Sequence, residues 1–114
     1  MATLSVAFPV RPDKLDQARR VAQEKLGPRA ADSAACSRRI GVTHESWYLQ
    51  QLPGGAVFIM TIDSNDLAGA FAAYAASDEP FERWEKQQIE EMTGVDLGKP
   101  LAGPLPETLF DWRG

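Results

Sequence analysis

The 114-residue sequence has little of the residue types that organise metal, redox and disulfide chemistry. Cysteine occurs once, at Cys36, and histidine once, at His44. One cysteine excludes an intrachain disulfide and any cysteine-based metal site. It fits the reducing cytoplasm, which is the expected compartment. Long apolar runs are also missing. Runs such as residues 56–60 are far short of a membrane span. The first residues lack a basic stretch followed by an apolar one, so no signal peptide is read there. No zinc pattern, phosphate-binding loop or dinucleotide glycine motif occurs, and neither a cofactor nor a metal is expected. Positive charge is in deficit, with 12 basic against 16 acidic residues. An acidic chain repels phosphate backbones, and Arg38-Arg39 is too small a basic cluster to reverse that. Nucleic acid is therefore not an expected partner, and neither is a membrane.

What is present is an ordinary globular balance, 44% hydrophobic and 25% charged, in a chain the length of one domain. The whole chain, 1–114, is read as a single domain. Leu4, Val6, Phe8 and Val10 alternate with smaller or polar residues, the period of a strand with one core-facing side. Asp13 reads as an N-cap to a helix in which Leu15, Ala18, Ala22 and Leu26 recur at helical spacing. Gly27-Pro28 interrupts it. A second helical stretch, residues 30–40, ends with Arg38-Arg39 in its last turn and Gly41 as its stop. Residues 42–52 read as a strand with His44, Ser46 and Tyr48 on one face and Glu45, Trp47 and Leu49 on the other. Pro53-Gly54-Gly55 then turns the chain into a strand over 56–63.

Ser64-Asn65-Asp66 supplies caps for a helix striped by Leu67, Ala70, Phe71 and Tyr74. Pro80 opens another, with Phe81, Trp84, Gln88 and Met92 on one face and Gly94 as its end. Residues 95–106 read as an extended loop and 107–112 as a short last strand. The order β, interrupted α, β, β, interrupted α, β predicts an α+β fold of ferredoxin-like βαββαβ topology. It has a four-stranded antiparallel sheet with helices on one face. The uncovered face keeps large apolar side chains, which predicts a homodimer, with Trp112 packing across it.

Phe8-Pro9-Val10 followed by Asp13, and Arg39-Ile40-Gly41-Val42-Thr43 leading into Glu45-Ser46-Trp47-Tyr48-Leu49-Gln50, carry a resemblance. So do Phe71-Ala72-Ala73-Tyr74 with Ser77-Asp78-Glu79-Pro80-Phe81, and Thr93-Gly94-Val95-Asp96-Leu97. Over nearly its full length the chain resembles the dimeric α/β-barrel superfamily, which includes antibiotic-biosynthesis-type monooxygenases and stress-responsive barrel proteins. More closely, it is similar to a group of uncharacterised bacterial proteins in that superfamily. The resemblance implies a homodimer whose ligands sit between helices and sheet or in the barrel-like interior, and it carries no universal catalytic motif.

His44 is the natural general base, with Ser46 and Tyr48 beside it to orient a substrate. Its plainer role is a histidine at an edge or dimer seam. Glu45, on an apolar face, needs a partner, for which Arg38, Arg39 or a residue of the second subunit is the expectation; its sharper reading is an acid of raised pKa in a cavity. Arg39 suits an anionic substrate, or simply complements a helix end. Trp47, Tyr48, Tyr74 and Trp84 suit the lining of a pocket for a hydrophobic or aromatic molecule, although core packing explains most of them. His44 and Glu45 are strand neighbours that face opposite ways, so they cannot hold one metal between them. Two functions follow. One is a cofactor-independent small-molecule enzyme, monooxygenase- or isomerase-like, with His44 as base. The other is a non-catalytic dimeric ligand-binding or accessory protein using the same cavity.

Overall fold

A computed structural model describes residues 2–100 and 103–114. The elements are β1 (Ala2–Val10), α1 (Leu15–Leu26), α2 (Ala30–Ile40), β2 (Val42–Leu52), β3 (Gly55–Ser64), α3 (Leu67–Ala76) and α4 (Pro80–Thr93). A 3-10 turn, Pro12–Lys14, precedes α1 and takes up Asp13, which therefore caps no helix. The three strands form one antiparallel sheet in the order β1-β3-β2. No helix among the described residues is long and apolar enough to cross a membrane.

Alternation along the strands decides which face is buried. Leu4, Val6, Phe8 and Val10 of β1 and Ala56, Phe58, Met60 and Ile62 of β3 turn inward, where they meet Ala18, Val21, Ala70 and Met92 from the helices. Trp47 joins them edge-on to Phe58, with ring centroids 4.8 Å apart. Residues 42–52 keep an alternating pattern only after a bulge between Val42 and His44. That extra residue lets Val42 and Glu45 share the inner face.

The helix ends follow their local chemistry. Asp66 accepts the Gly69 N–H and caps α3. Gly41 and Gly94 end α2 and α4 in the left-handed region, at φ 82° and 80°, where a side chain is disfavoured. Ser64 Oγ, fully inside, donates to the Gly41 carbonyl and accepts the Asp66 N–H, which ties the α2–β2 and β3–α3 junctions together.

The four-stranded ferredoxin-like βαββαβ expectation is corrected here. The sheet has three strands, and the order is β-α-α-β-β-α-α. Residues 107–112, expected as a fourth strand, join no ladder, and 103–114 hold no helix or strand. Pro104 and Pro106 remove two N–H donors at the approach to the sheet. Leu109, Phe110 and Trp112 are left 75–87% exposed, and the tail touches β1 through Arg113, which donates to Thr3 Oγ1 at 3.2 Å. β1 is consequently an edge strand, which tolerates Pro9. The expected loop over 95–106 includes residues 101 and 102, which lie outside the described residues.

Two helix faces also differ from expectation. Leu26 is 83% exposed, while Lys25 is half-buried among core groups. The inward stripe of α1 is Ala18, Val21 and Lys25, at i, i+3 and i+7. On α4 the buried residues are Phe81, Glu82, Glu85, Ile89 and Met92. Both changes put ionisable side chains on faces where none was expected.

Candidate functional site

Between the sheet and helices α2 and α3 lies a cavity of about 370 Å³, at the lower end of the range for small-molecule sites. Met60 and Ile62 of β3 form its floor, and Cys36, Ile40 and Phe71 contribute to its walls. Leu97 and Leu105 add apolar surface from the chain beyond α4. Most of the lining is hydrocarbon, and the charged groups on it are Lys25, Glu45, Glu85 and Lys99.

Lys25, Glu45, Glu85 and Tyr74 make one connected cluster. Lys25 Nζ lies 2.6 Å from Glu85 Oε2 and 3.3 Å from Glu45 Oε1. It also sits 3.9 Å from the centroid of the Trp47 ring, a cation–π contact. The Trp47 indole N–H donates to Glu45 Oε2 at 2.9 Å, and the Tyr74 hydroxyl donates to Glu85 Oε1 at 2.7 Å. Glu85 is only 4% exposed. Its contact with Lys25 is close but off the axis of a hydrogen bond, so Oε2 is a buried acceptor with a charge beside it and no aligned donor among the described residues.

These surroundings set proton affinities. Burial pushes the Glu85 carboxyl above the usual carboxylate range, and the charge of Glu45 adds to the push; Lys25 and the Tyr74 hydrogen bond oppose it without cancelling it. Burial, then the Glu85 charge, pushes the Tyr74 phenol up as well, so it remains a proton donor. The Cys36 thiol is raised to about 12 by burial and by the charges of Glu82 and Glu85, which keeps it protonated and a poor nucleophile.

A second buried carboxylate, Glu82, lies one helical turn away and is fully inaccessible. It accepts from Arg39 Nη2 at 2.6 Å and Nε at 3.3 Å, and from Ser77 Oγ at 2.7 Å. Burial pushes this carboxyl up too, but the Arg39 and Ser77 hydrogen bonds outweigh it and leave it below the usual range.

Of the residues singled out from the sequence, the structure brings Glu45 and Tyr74 together at the cavity, with Trp47 holding Glu45. Glu45 pairs with Lys25, not with Arg38 or Arg39. His44, Ser46 and Tyr48 share the outer face, away from the cavity. His44 lies opposite Asp63 on β3, and both His44 and Tyr48 are exposed. Arg39 belongs to the Glu82 brace. Trp84 stacks beneath Arg29, 4.0 Å from its ring centroid, and leans on Phe81. Lys25 and Glu85 were not singled out. Their signal was spacing: Lys25 follows Ala18 and Val21 on one stripe, and Glu85 precedes Ile89 and Met92 on another. Comparison with known proteins gives no match, whether to a family model, a curated protein or a solved structure.

Proposed function

We propose that the chain binds a compact, mostly apolar molecule in this cavity and moves a proton on it with its own side chains. Glu85 is the acid–base group. The observation that carries this reading is the Glu85 carboxyl itself: buried at the polar end of an apolar cavity, raised in proton affinity, and with Oε2 lacking an aligned donor. Tyr74 fixes Oε1, burial raises the carboxyl's hold on its proton, and Lys25 and Glu45 adjust it in opposite directions. A proton taken by Glu85 and returned at another atom of the ligand is an isomerisation, which needs no oxidant. This assignment moves the base from His44, on the opposite sheet face, to α4.

The test has two stages. Small apolar compounds are screened by thermal shift, since a ligand of the native state raises the melting temperature. Compounds that bind are then followed by NMR in deuterated solvent. The wild-type protein exchanges a carbon-bound proton of the ligand, and Glu85→Gln loses that exchange by roughly 100-fold or more. Binding without exchange in the wild type replaces the enzyme with a non-catalytic ligand holder.

A second copy of the chain is the proposed partner, in the cytoplasm, which suits a buried free thiol. Val57 and Ile59 are half-buried on the outer sheet face beside exposed Tyr48, and the tail adds Leu109, Phe110 and Trp112. Sedimentation at micromolar concentration is expected to give a dimer; a monomer removes this partner.

A further inference from the structure

The acid–base reading does not say what kind of polar group meets Glu85, and the charges at that end of the cavity narrow it. One cation, Lys25, stands between two carboxylates, Glu45 and Glu85. The next carboxylate, Glu82, is committed to Arg39 and Ser77 and adds no demand. Lys99 belongs to the exposed side of the cavity, and its nearest ion-pair partner is Asp96 at 3.9 Å. The polar end is therefore one positive charge short, in surroundings where apolar walls keep charges poorly screened.

The hydrogen-bond inventory points the same way. Lys25 faces Glu45, Glu85 and the Trp47 ring, which occupies its ammonium. The proton of the Tyr74 hydroxyl is given to Glu85 Oε1, and that of the Trp47 indole to Glu45. For a ligand carbonyl or carboxylate the cluster offers only the lysine already shared by two carboxylates, whereas Glu85 Oε2, though 2.6 Å from that lysine, has no aligned donor. A ligand anion would meet two carboxylates. A ligand alcohol would satisfy Oε2 and leave the charge unbalanced.

We propose that the cavity takes a small amine: an apolar body whose protonated amino group sits against Glu85 Oε2. This assignment rests on the cavity being the ligand site. Burial is the main reason Glu85 holds its proton tightly, and the charge of Glu45 adds to it. An ammonium meeting the carboxylate and a neutral amine meeting the protonated acid give the same bound pair.

Three probes that share one ring test this: benzylammonium, benzyl alcohol and benzoate, titrated by calorimetry and ligand-observed NMR. Benzylammonium is expected to bind roughly tenfold or more tighter than benzyl alcohol, with benzoate not binding. Glu85→Gln and Glu45→Gln each remove one negative charge, and each should bring benzylammonium down to the level of the alcohol. Glu45→Gln decides if Glu85→Gln does not fold. Phe71→Trp, which fills the cavity, should weaken every probe that enters it. Benzoate or benzyl alcohol binding as tightly as benzylammonium, with Phe71→Trp still weakening them, overturns the amine while the cavity stands. No binding by any probe, or binding that Phe71→Trp leaves unchanged, overturns the amine and the cavity together.

Discussion

Glu82 and Glu85 sit one turn apart on the same face of α4, both removed from water, and they have opposite fates. Glu82 receives hydrogen bonds from the Arg39 fork and from Ser77, and its carboxyl falls below the ordinary range. Glu85 receives one aligned hydrogen bond, from Tyr74, shares its lysine with Glu45, and rises above that range. Burial alone does not separate a brace from a reactive acid. The completeness of the partners does: a carboxylate whose acceptors all receive aligned donors holds helices together, and one that shares its lysine with a second carboxylate beside a cavity is the one proposed to meet a ligand.

The largest expected effect tests the brace. Glu82→Ala should cost roughly 2–4 kcal/mol in a denaturant titration, because it removes three charge-assisted hydrogen bonds and leaves a void. Glu85→Ala should cost clearly less; equal costs would erase the distinction. The next effect is a difference in pH dependence. A carboxyl raised in the folded state stabilises the fold in acid, and that contribution fades as pH climbs from the ordinary glutamate value of about 4.3 through the raised one. A lowered carboxyl contributes fully above about 4.3 and loses its contribution as pH falls through the lowered value. Relative to wild type, Glu85→Gln should therefore gain stability as pH rises above that point. Glu82→Gln should lose it as pH rises towards that point from the acid side. Melting curves over a pH series read both, and parallel curves would contradict the assigned shifts.

Tyr74→Phe comes third. It deletes the one aligned donor to Glu85, which should cost about 1 kcal/mol and push the Glu85 carboxyl further up, a change that carboxyl-labelled NMR follows. A Glu85 titration that stays in place would mean the phenol is not its support. The smallest effect is at His44. His44→Ala, on the outer face, should leave stability within about 0.5 kcal/mol and ligand binding at the cavity unchanged. A loss of binding would return the base to β2.

Much of the fold was legible, and the reasons are local. Helix α2 begins and ends where residues 30–40 were read, because Gly41 stops it. β2 spans the expected 42–52, and the Pro53-Gly54-Gly55 turn leads into β3. The fourth strand was not legible, because alternation in 107–112 says nothing about whether an edge will accept it, and Pro104 and Pro106 precede it. The candidate site was half legible. Glu45 and Tyr74 stood out by residue type and face. Lys25 and Glu85 were passed over because charged residues on an amphipathic helix are ordinarily solvated, and only the partner on another element reveals otherwise. Lys25 lies on α1, Glu45 on β2 and Glu85 on α4, so no single stretch of sequence contains the cluster.

The bulge in β2 has a further consequence for this assembly. The hairpin end of the strand and the end that meets α2 are out of phase with each other, and one supernumerary residue reconciles them. Were Thr43 paired like its neighbours instead of bulged, with the ladder kept as far as Glu45, Val42 would face outward, and the Gly41 carbonyl would be carried away from the serine hydroxyl that holds it. The bulge thus lets the stop of α2 and the Glu45 carboxylate serve one interior, although the stretch between them is one residue too long for regular pairing.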